Sequence, residues 1–200
     1  MNNTGQCCVA AKRFILHEKI ADTFLRRFKK ELQALVPGDP MDSKTTLGPL
    51  CTKGALDLVL KQIQMAVDGG AKVLIGGKRL DRPGYFLGAT ILTDITPDNP
   101  AFHVEFFAPV ALIFRVKNDQ EAIDLANDSP YGLGGSVITQ DTERGKRLAR
   151  QIETGMVFIN QATWTAPDLP FGGVKNSGYG RELSELGMSE FVNKKLIRVA

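Results

Sequence analysis

Apolar side chains recur every three or four residues in two early stretches of the chain, with charged residues between them. This spacing places the apolar positions on one face and predicts two amphipathic helices. The first is expected to end before Pro37 and the second at Gly69 and Gly70, because both residue types stop helices. The apolar positions are Ile20, Phe24, Phe28, Leu32 and Leu35 in the first helix and Leu56, Val59, Leu60, Ile63 and Val67 in the second.

Short apolar runs before, between and after these helices predict strands. The run 109–116 is apolar almost without interruption, which is typical of a strand covered on both faces. A third helix, 118–126, is predicted to begin at a capping box formed by Asn118 and Glu121. The alternation of strands and helices predicts an α/β fold with a largely parallel sheet flanked by helices. The remaining predicted strands are 12–17, 72–75, 85–95, 136–139, 156–159 and 195–199, and the remaining helices are 141–152 and 181–191.

The composition is that of an ordinary globular chain. It has 200 residues, 43% of them hydrophobic, which is enough for one large domain with a real core. We expect residues 1–193 to form this domain and residues 194–200 to form a terminal strand. The net charge is only +3 and the basic residues are scattered, so no nucleic-acid partner is expected.

The sequence shows neither a membrane-span pattern nor a secretory signal pattern. No stretch approaches the ~20 consecutive apolar residues of a membrane span, so no membrane partner is expected. The first ten residues lack the basic and apolar regions of a secretory signal. The three cysteines are an odd count and two of them are adjacent, which favours a reducing, cytoplasmic location over structural disulfides.

Candidate chemistry begins with Cys8, which follows Gly5 and Gln6 near the start of the chain. A cysteine attacks as the thiolate, and a helix start or a nearby positive charge favours that form. Adjacent cysteines are also common as small buried apolar residues, so the pair alone leaves both interpretations open. Lys12 and its neighbour Arg13 are close in sequence, but a strand can point either side chain away from the thiol.

Two later blocks combine polar and aromatic residues. Glu105 and Phe107 precede the apolar run 109–116, where an acid can also cap a strand or pair with a base. Trp164 and Thr165 lie in a long irregular loop that leads to Phe171 and a glycine-rich stretch, and ordered loops of this length are often functional. Core packing remains an alternative for the Trp164 indole. The spacing of these glycines fits neither the P-loop nor the GxGxxG dinucleotide-binding motif. They are expected to serve tight turns and close packing.

The three blocks, in this order, resemble the catalytic part of the aldehyde dehydrogenase family. The resemblance implies that Cys8 is the nucleophile, that Glu105 binds the nicotinamide ribose hydroxyls and that Phe107 packs beside the nicotinamide. It also implies that a substrate tunnel is lined by Trp164, Thr165 and Phe171. Ala108 stands where the family usually has glycine. The two histidines and three cysteines have no zinc-binding spacing, so no metal is expected.

Residues 10–15 and 174–184 are most similar to bacterial succinate-semialdehyde dehydrogenases. The implied reaction oxidises a small aldehyde, succinate semialdehyde in that subfamily, to the acid through a cysteine thioester, with NAD or NADP as the hydride acceptor. The family's dinucleotide-binding domain, general base and second oxyanion donor match no residue of 1–200. We therefore expect a carboxy-terminal fragment that lacks the cofactor-binding domain, binds no cofactor by itself and has little dehydrogenase activity.

The family's final strand joins the sheet of a neighbouring subunit. By resemblance this strand is residues 195–199, from Lys195 to Val199, and an unpaired apolar edge tends to find another chain. A homo-oligomer formed through this segment is therefore expected. Two alternatives remain open at this point: a thiol-dependent esterase that uses Cys8 without a nicotinamide, and a non-catalytic fragment that only folds and self-associates.

Overall fold

The computed structural model describes residues 2–200 and divides the chain into two compact units. The first unit ends at Asp128 and the second comprises Ser129–Ala200. The boundary falls inside the stretch 1–193, whose assignment to one catalytic domain stays a prediction. Each unit is described by itself.

The sheet of the first unit contains four strands within the described residues. They are β1 (Arg13–His17), β2 (Lys72–Ile75), β3 (Thr90–Thr93) and β4 (Val110–Val116), and their order across the sheet is β1-β4-β3-β2. Strand β4 runs parallel to both of its neighbours, with Leu112 opposite Arg13 and Ala111 opposite Ile91. Only β2, at the edge, is antiparallel. The predicted α/β fold with a largely parallel sheet is confirmed.

Strand β4 is the centre of the core because its two faces pack against different helices. Six of its seven residues are buried, as its uninterrupted apolar run predicted. Leu112 packs in one cluster with Leu56 and Ile63 of helix α2 (Lys53–Asp68). Its neighbour Ile113 packs in a second cluster with Leu25 of helix α1 (Glu18–Gln33), because successive strand residues point to opposite faces.

Helix α3 (Asp119–Asn127) begins as the sequence predicted. The Asn118 side chain accepts a hydrogen bond from the Glu121 N–H at 2.9 Å, and the Glu121 carboxylate accepts one from the Lys117 N–H at 2.8 Å. At its other end, the guanidinium of Arg13 donates to the carbonyl oxygen of Leu125 at 2.8 Å. A cation at this end of a helix also complements the helix dipole.

The second unit contains smaller sheets. Strands β6 (Gly134–Val137) and β7 (Met156–Ile159) pair in parallel and contact helix α4 (Thr142–Ala149). Strands β5 (Tyr131–Gly132) and β8 (Val174–Lys175) pair antiparallel. The glycines pack closely as predicted, since a β-carbon added to Gly155 would lie 1.8 Å from the carbonyl oxygen of Gly172.

The end of the chain differs from the sequence prediction. The helix expected over 181–191 is shortened to α5 (Ser184–Ser189), because Glu182 instead pairs its backbone with Phe171. Residues 193–200 have no regular secondary structure, so the strand expected at 195–199 is not formed within this single chain. Its pairing with a second chain stays a prediction. None of the helices in residues 2–200 has the length and apolar character needed to cross a bilayer.

Candidate functional site

Cys8 lies in a tight turn at the surface of the first unit. The turn is closed by a hydrogen bond from the Ala10 N–H to the carbonyl oxygen of Cys7, at 3.0 Å. Cys8 is exposed and Cys7 is half-buried, so the alternative of two buried apolar cysteines is wrong. No residue of the described range 2–200 accepts a hydrogen bond from the Cys8 backbone N–H, which leaves this donor free beside the thiol.

The residues before Cys8 fix this turn to the body of the unit. Gly5 has a φ of +74°, and a β-carbon at this position would lie 2.1 Å from the carbonyl oxygen of Ala108. The side-chain carbonyl of Gln6 accepts a hydrogen bond from the Cys51 N–H at 2.8 Å, and its amide donates to the Pro49 carbonyl at 3.3 Å. The thiol therefore stands on a turn held by both backbone contact and side-chain hydrogen bonds.

Residues 105–108, against which Gly5 packs, point their side chains alternately to the surface and to the core. Phe106 is fully buried and Ala108 is 2% exposed, and both belong to the apolar cluster beneath α2. The extra methyl group of Ala108, relative to the family's usual glycine, is thus accommodated in the core. Glu105 and Phe107 point outward, with 35% of the Glu105 side chain and 47% of Phe107 exposed. A carboxylate and an aromatic ring consequently stand side by side on the surface.

Lys12 joins the thiol turn to this outward face. Its ammonium donates a 2.6 Å hydrogen bond to the carbonyl oxygen of Cys7 and lies 3.7 Å from a carboxylate oxygen of Glu105. It also lies 4.9 Å from the centre of the Phe107 ring. The structure therefore brings together three residues that the sequence singled out separately, namely Cys8, Glu105 and Phe107, and places one cation among them.

The environment of Lys12 is unusual for a lysine. Only 12% of its side chain is exposed, and burial lowers its pKa below the ordinary value. The negative charge of Glu105, and smaller effects from the Cys7 and Cys8 thiols, act in the opposite direction. The sequence does not show which way the Lys12 side chain points. Lys12 directly precedes β1, and the structure turns the next basic residue, Arg13, toward α3 instead.

The remaining predicted site residues belong to the second unit. Trp164 is 57% exposed on its loop, so it is not a core residue of that unit, and Thr165 is exposed beside it. Phe171 is half-buried, and its backbone exchanges two 2.8 Å hydrogen bonds with Glu182. Their place in a substrate tunnel stays a prediction.

The two histidines have structural roles. The His17 ring accepts a hydrogen bond from the Lys19 N–H at the start of α1, and a ring nitrogen of His103 lies 2.7 Å from an Asp128 carboxylate oxygen. Within residues 2–200, no group of three or more His, Cys, Asp or Glu side chains is arranged to hold a metal ion.

Comparison with known proteins places the chain in a family. The model of the aldehyde dehydrogenase family matches residues 1–197. The chain therefore belongs to the aldehyde dehydrogenase family.

Several relatives share a narrower name. A Deinococcus radiodurans protein named succinate-semialdehyde dehydrogenase (NADP+) is 51% identical over 198 residues, which are 99% of this chain and 42% of the relative. A Synechocystis protein named probable succinate-semialdehyde dehydrogenase (NADP+) is 48% identical over 200 residues, all of this chain and 44% of the relative. The chain thus spans less than half the length of these relatives.

A solved structure agrees with the sequence comparison. The succinic semialdehyde dehydrogenase of Streptococcus pyogenes, in complex with NADP+, superposes with a TM-score of 0.95 at 48% identity. The match covers 98% of this chain and 43% of that one.

Proposed function

We propose that this chain is the catalytic part of an aldehyde dehydrogenase that oxidises succinate semialdehyde to the acid, with Cys8 as the nucleophile and NADP or NAD as the cofactor. The observation that carries the proposal is the placement of the exposed Cys8 turn against the segment bearing Glu105 and Phe107, with Lys12 between them. The names of the relatives support the choice of substrate. Trp164, Thr165 and Phe171 are proposed to line the path of the aldehyde.

The outward face of the first unit fits a nicotinamide nucleoside. An ionised carboxylate has several acceptor sites, so Glu105 can accept hydrogen bonds from ribose hydroxyls while one oxygen faces Lys12. The exposed ring of Phe107 offers a flat apolar surface to the nicotinamide. When bound, the cofactor supplies the hydride acceptor of the reaction.

Cys8 carries the covalent chemistry. Its thiolate sulfur forms a bond to the aldehyde carbon while the carbonyl electron pair moves to the oxygen, which gives a thiohemiacetal. The Cys8 backbone N–H, which donates to no group of residues 2–200, can donate to the oxyanion that forms there. After loss of hydride the acyl group remains on Cys8 as a thioester. Water then attacks the thioester carbon, the carbon–sulfur bond breaks, and the acid leaves with the thiolate restored.

The rest of the machinery is proposed to lie outside these 200 residues. The family's general base and second oxyanion donor match no residue here, and the relatives are more than twice as long as the matched region. The isolated chain should therefore bind cofactor poorly and turn over slowly. A reducing cytoplasm would keep the thiol free, and assembly into homo-oligomers through residues 195–199 is part of the proposal.

Acylation of the isolated chain by p-nitrophenyl acetate tests the proposed role of Cys8. Its thiolate attacks the ester carbonyl and p-nitrophenolate leaves, so release of the chromophore reports acylation. We expect a burst of about one equivalent followed by slow turnover, because the groups that activate water for deacylation are absent from the mapped residues. Peptide mass spectrometry should place the acetyl group on Cys8. Cys7→Ala should keep the burst and Cys8→Ala should lose it.

Two other outcomes would contradict the proposal. Sustained multiple turnover that depends on Cys8 but needs no nicotinamide would identify a thiol-dependent esterase. Acylation no faster than that of free cysteine, with the label spread over Cys7, Cys8 and Cys51, would indicate a non-catalytic fragment.

A further inference from the structure

We infer that Lys12 is a positioning residue for the nucleophile: its ammonium anchors the Cys8 turn through the carbonyl of Cys7 and places a positive charge beside the thiol that must ionise. The inference rests on the proposed role of Cys8. It adds a role for Lys12, to which the sequence assigned none, and Lys12 acts through Cys7 and Glu105 without itself touching the reacting atoms.

The contacts of Lys12 argue for a specific position of its ammonium. A flexible four-carbon side chain usually extends into water, yet here it is nearly covered and ends against three partners. The hydrogen bond to the Cys7 carbonyl is the shortest of these contacts, at 2.6 Å. That carbonyl also accepts the Ala10 N–H that closes the turn, so Lys12 acts on the peptide group directly before Cys8.

Electrostatics gives the arrangement a role beyond packing. The charged or titratable groups that face the ammonium are Glu105, Cys7 and Cys8. A buried cation is favoured when a neighbouring thiol becomes negative, and by reciprocity the cation favours the negative thiol. Glu105 partly offsets this effect, since it already shares the ammonium at 3.7 Å. Hydrogen bonds from ribose hydroxyls to Glu105 would weaken its attraction for the Lys12 ammonium, so the ammonium would stabilise the Cys8 thiolate more strongly.

Burial of the Lys12 ammonium has a cost in folding stability. Because burial lowers the pKa of Lys12, the charged side chain is less favourable in the folded state than in the unfolded one. Replacement of a buried charged group by a well-packed apolar one is often neutral or stabilising, so stability alone does not account for a charge at this position. Arg13, the next residue, has the structural role instead by binding the end of α3.

The test compares Lys12→Met, which keeps the length and loses the charge, with Lys12→Arg, which keeps a charge. Alkylation of Cys8 by iodoacetamide is followed by peptide mass spectrometry on the full chain, so that Cys7 and Cys51 are counted separately. Lys72→Met is the matched control, because Lys72 is an exposed lysine of the same unit, paired with Asp94 at 3.0 Å. Thermal unfolding of each variant is measured in parallel.

At about pH 7 the rate of Cys8 alkylation should be at least about threefold lower in Lys12→Met than in the parent chain, because a nearby opposite charge is lost. The rates of Lys12→Arg and Lys72→Met should stay within about twofold of the parent chain. In strongly alkaline solution a cysteine thiol ionises without the help of a nearby cation, so the rates of the variants should converge there. The unfolding temperature of Lys12→Met should not fall. This combination separates an electrostatic role from a purely structural one.

The contrary results are distinct. An equal loss of rate at neutral and at alkaline pH, or a lowered unfolding temperature that accounts for the loss, would show that Lys12 only supports the fold. No change in any variant would also overturn the inference. Failure of the proposed function would look different: Cys8 of the parent chain would react no faster than free cysteine, whatever residue stood at position 12.

Discussion

The backbone of Gly5 lies against the carbonyl oxygen of Ala108 so closely that a β-carbon at position 5 would stand 2.1 Å from it. This contact joins the segment that carries Cys8, the proposed nucleophile, to the segment that carries Glu105 and Phe107. The two segments are about a hundred residues apart in sequence and meet because β1 and β4, which follow them, are adjacent parallel strands. The site therefore lies at the amino ends of two adjacent parallel strands, β1 and β4.

Substitution of Gly5 by alanine should disrupt this junction. The new methyl group would collide with backbone and would have to adopt a φ of +74°, so we expect a loss of about 2–4 kcal/mol in the free energy of unfolding. Urea denaturation measures the change, and alkylation of Cys8 should slow as the turn is displaced. Gly54→Ala is the control: only the Thr52 hydroxyl lies near its β-carbon, at 3.8 Å, so stability should hold or rise. Equal effects at both positions would contradict this packing.

Phe106 and Phe107 should respond oppositely to alanine substitution. Phe106 is fully buried, so its removal leaves a cavity and should lower the free energy of unfolding by about 3–5 kcal/mol. Phe107 is 47% exposed and contacts the Lys12 ammonium, so its removal should cost less than about 1 kcal/mol. Chemical denaturation of the two variants checks the contrast. A large loss from Phe107→Ala would show that its ring belongs to the core and is unavailable to a nicotinamide.

The ion pair between Asp22 of α1 and Arg115 of β4 should give a small acid-dependent contribution to stability. The hydrogen bond from Arg115, and then its charge, hold the pKa of Asp22 below its ordinary value. A carboxylate with a depressed folded-state pKa stabilises the protein above its unfolded pKa, and the contribution disappears as the pH falls through the folded value. Asp22→Asn should thus lower the unfolding temperature slightly near neutral pH and leave it unchanged in strong acid.

High salt provides the control for this pair. Both side chains are largely exposed, so screening should reduce the difference between the parent chain and Asp22→Asn. The prediction would be wrong if the difference in unfolding temperature between the parent chain and Asp22→Asn grew on acidification.

The last residues should control self-association. Leu196, Ile197 and Val199 are at least 79% exposed in a segment without regular structure, so their apolar surface is available to another chain. Removal of residues 194–200 should shift the protein toward the monomer in multi-angle light scattering, with the unfolding temperature of the rest retained. A parent chain that is monomeric at high concentration, or a truncated chain that associates equally well, would contradict the prediction.

Much of the first unit could be predicted from periodicity. The uninterrupted run of β4 and the helical spacing of α1 and α2 have one physical cause, the burial of apolar faces, and that cause is visible in the sequence. The cap of α3 was predictable because Asn118 and Glu121 act locally, within one turn.

The remaining features depend on contacts that a sequence does not display. Lys12 lies directly before β1, where a shift of one residue reverses the face to which a side chain points. The strand expected at 195–199 needs a partner strand, and a strand without one has unpaired backbone groups and is not stable alone. The helix expected over 181–191 was shortened by the pairing of Glu182 with Phe171, a contact between residues eleven positions apart.

The most direct test of the central claim places residues 1–200 in a complete enzyme. A chimera in which this chain replaces the matching 42% of the Deinococcus radiodurans relative should reduce NADP+ when given succinate semialdehyde. Substitution of Cys8 by alanine should lower kcat by at least about a thousandfold, since the covalent step is lost, and Cys7→Ala should keep most of the activity. A folded chimera that oxidises the aldehyde equally well with alanine at position 8 would contradict the account.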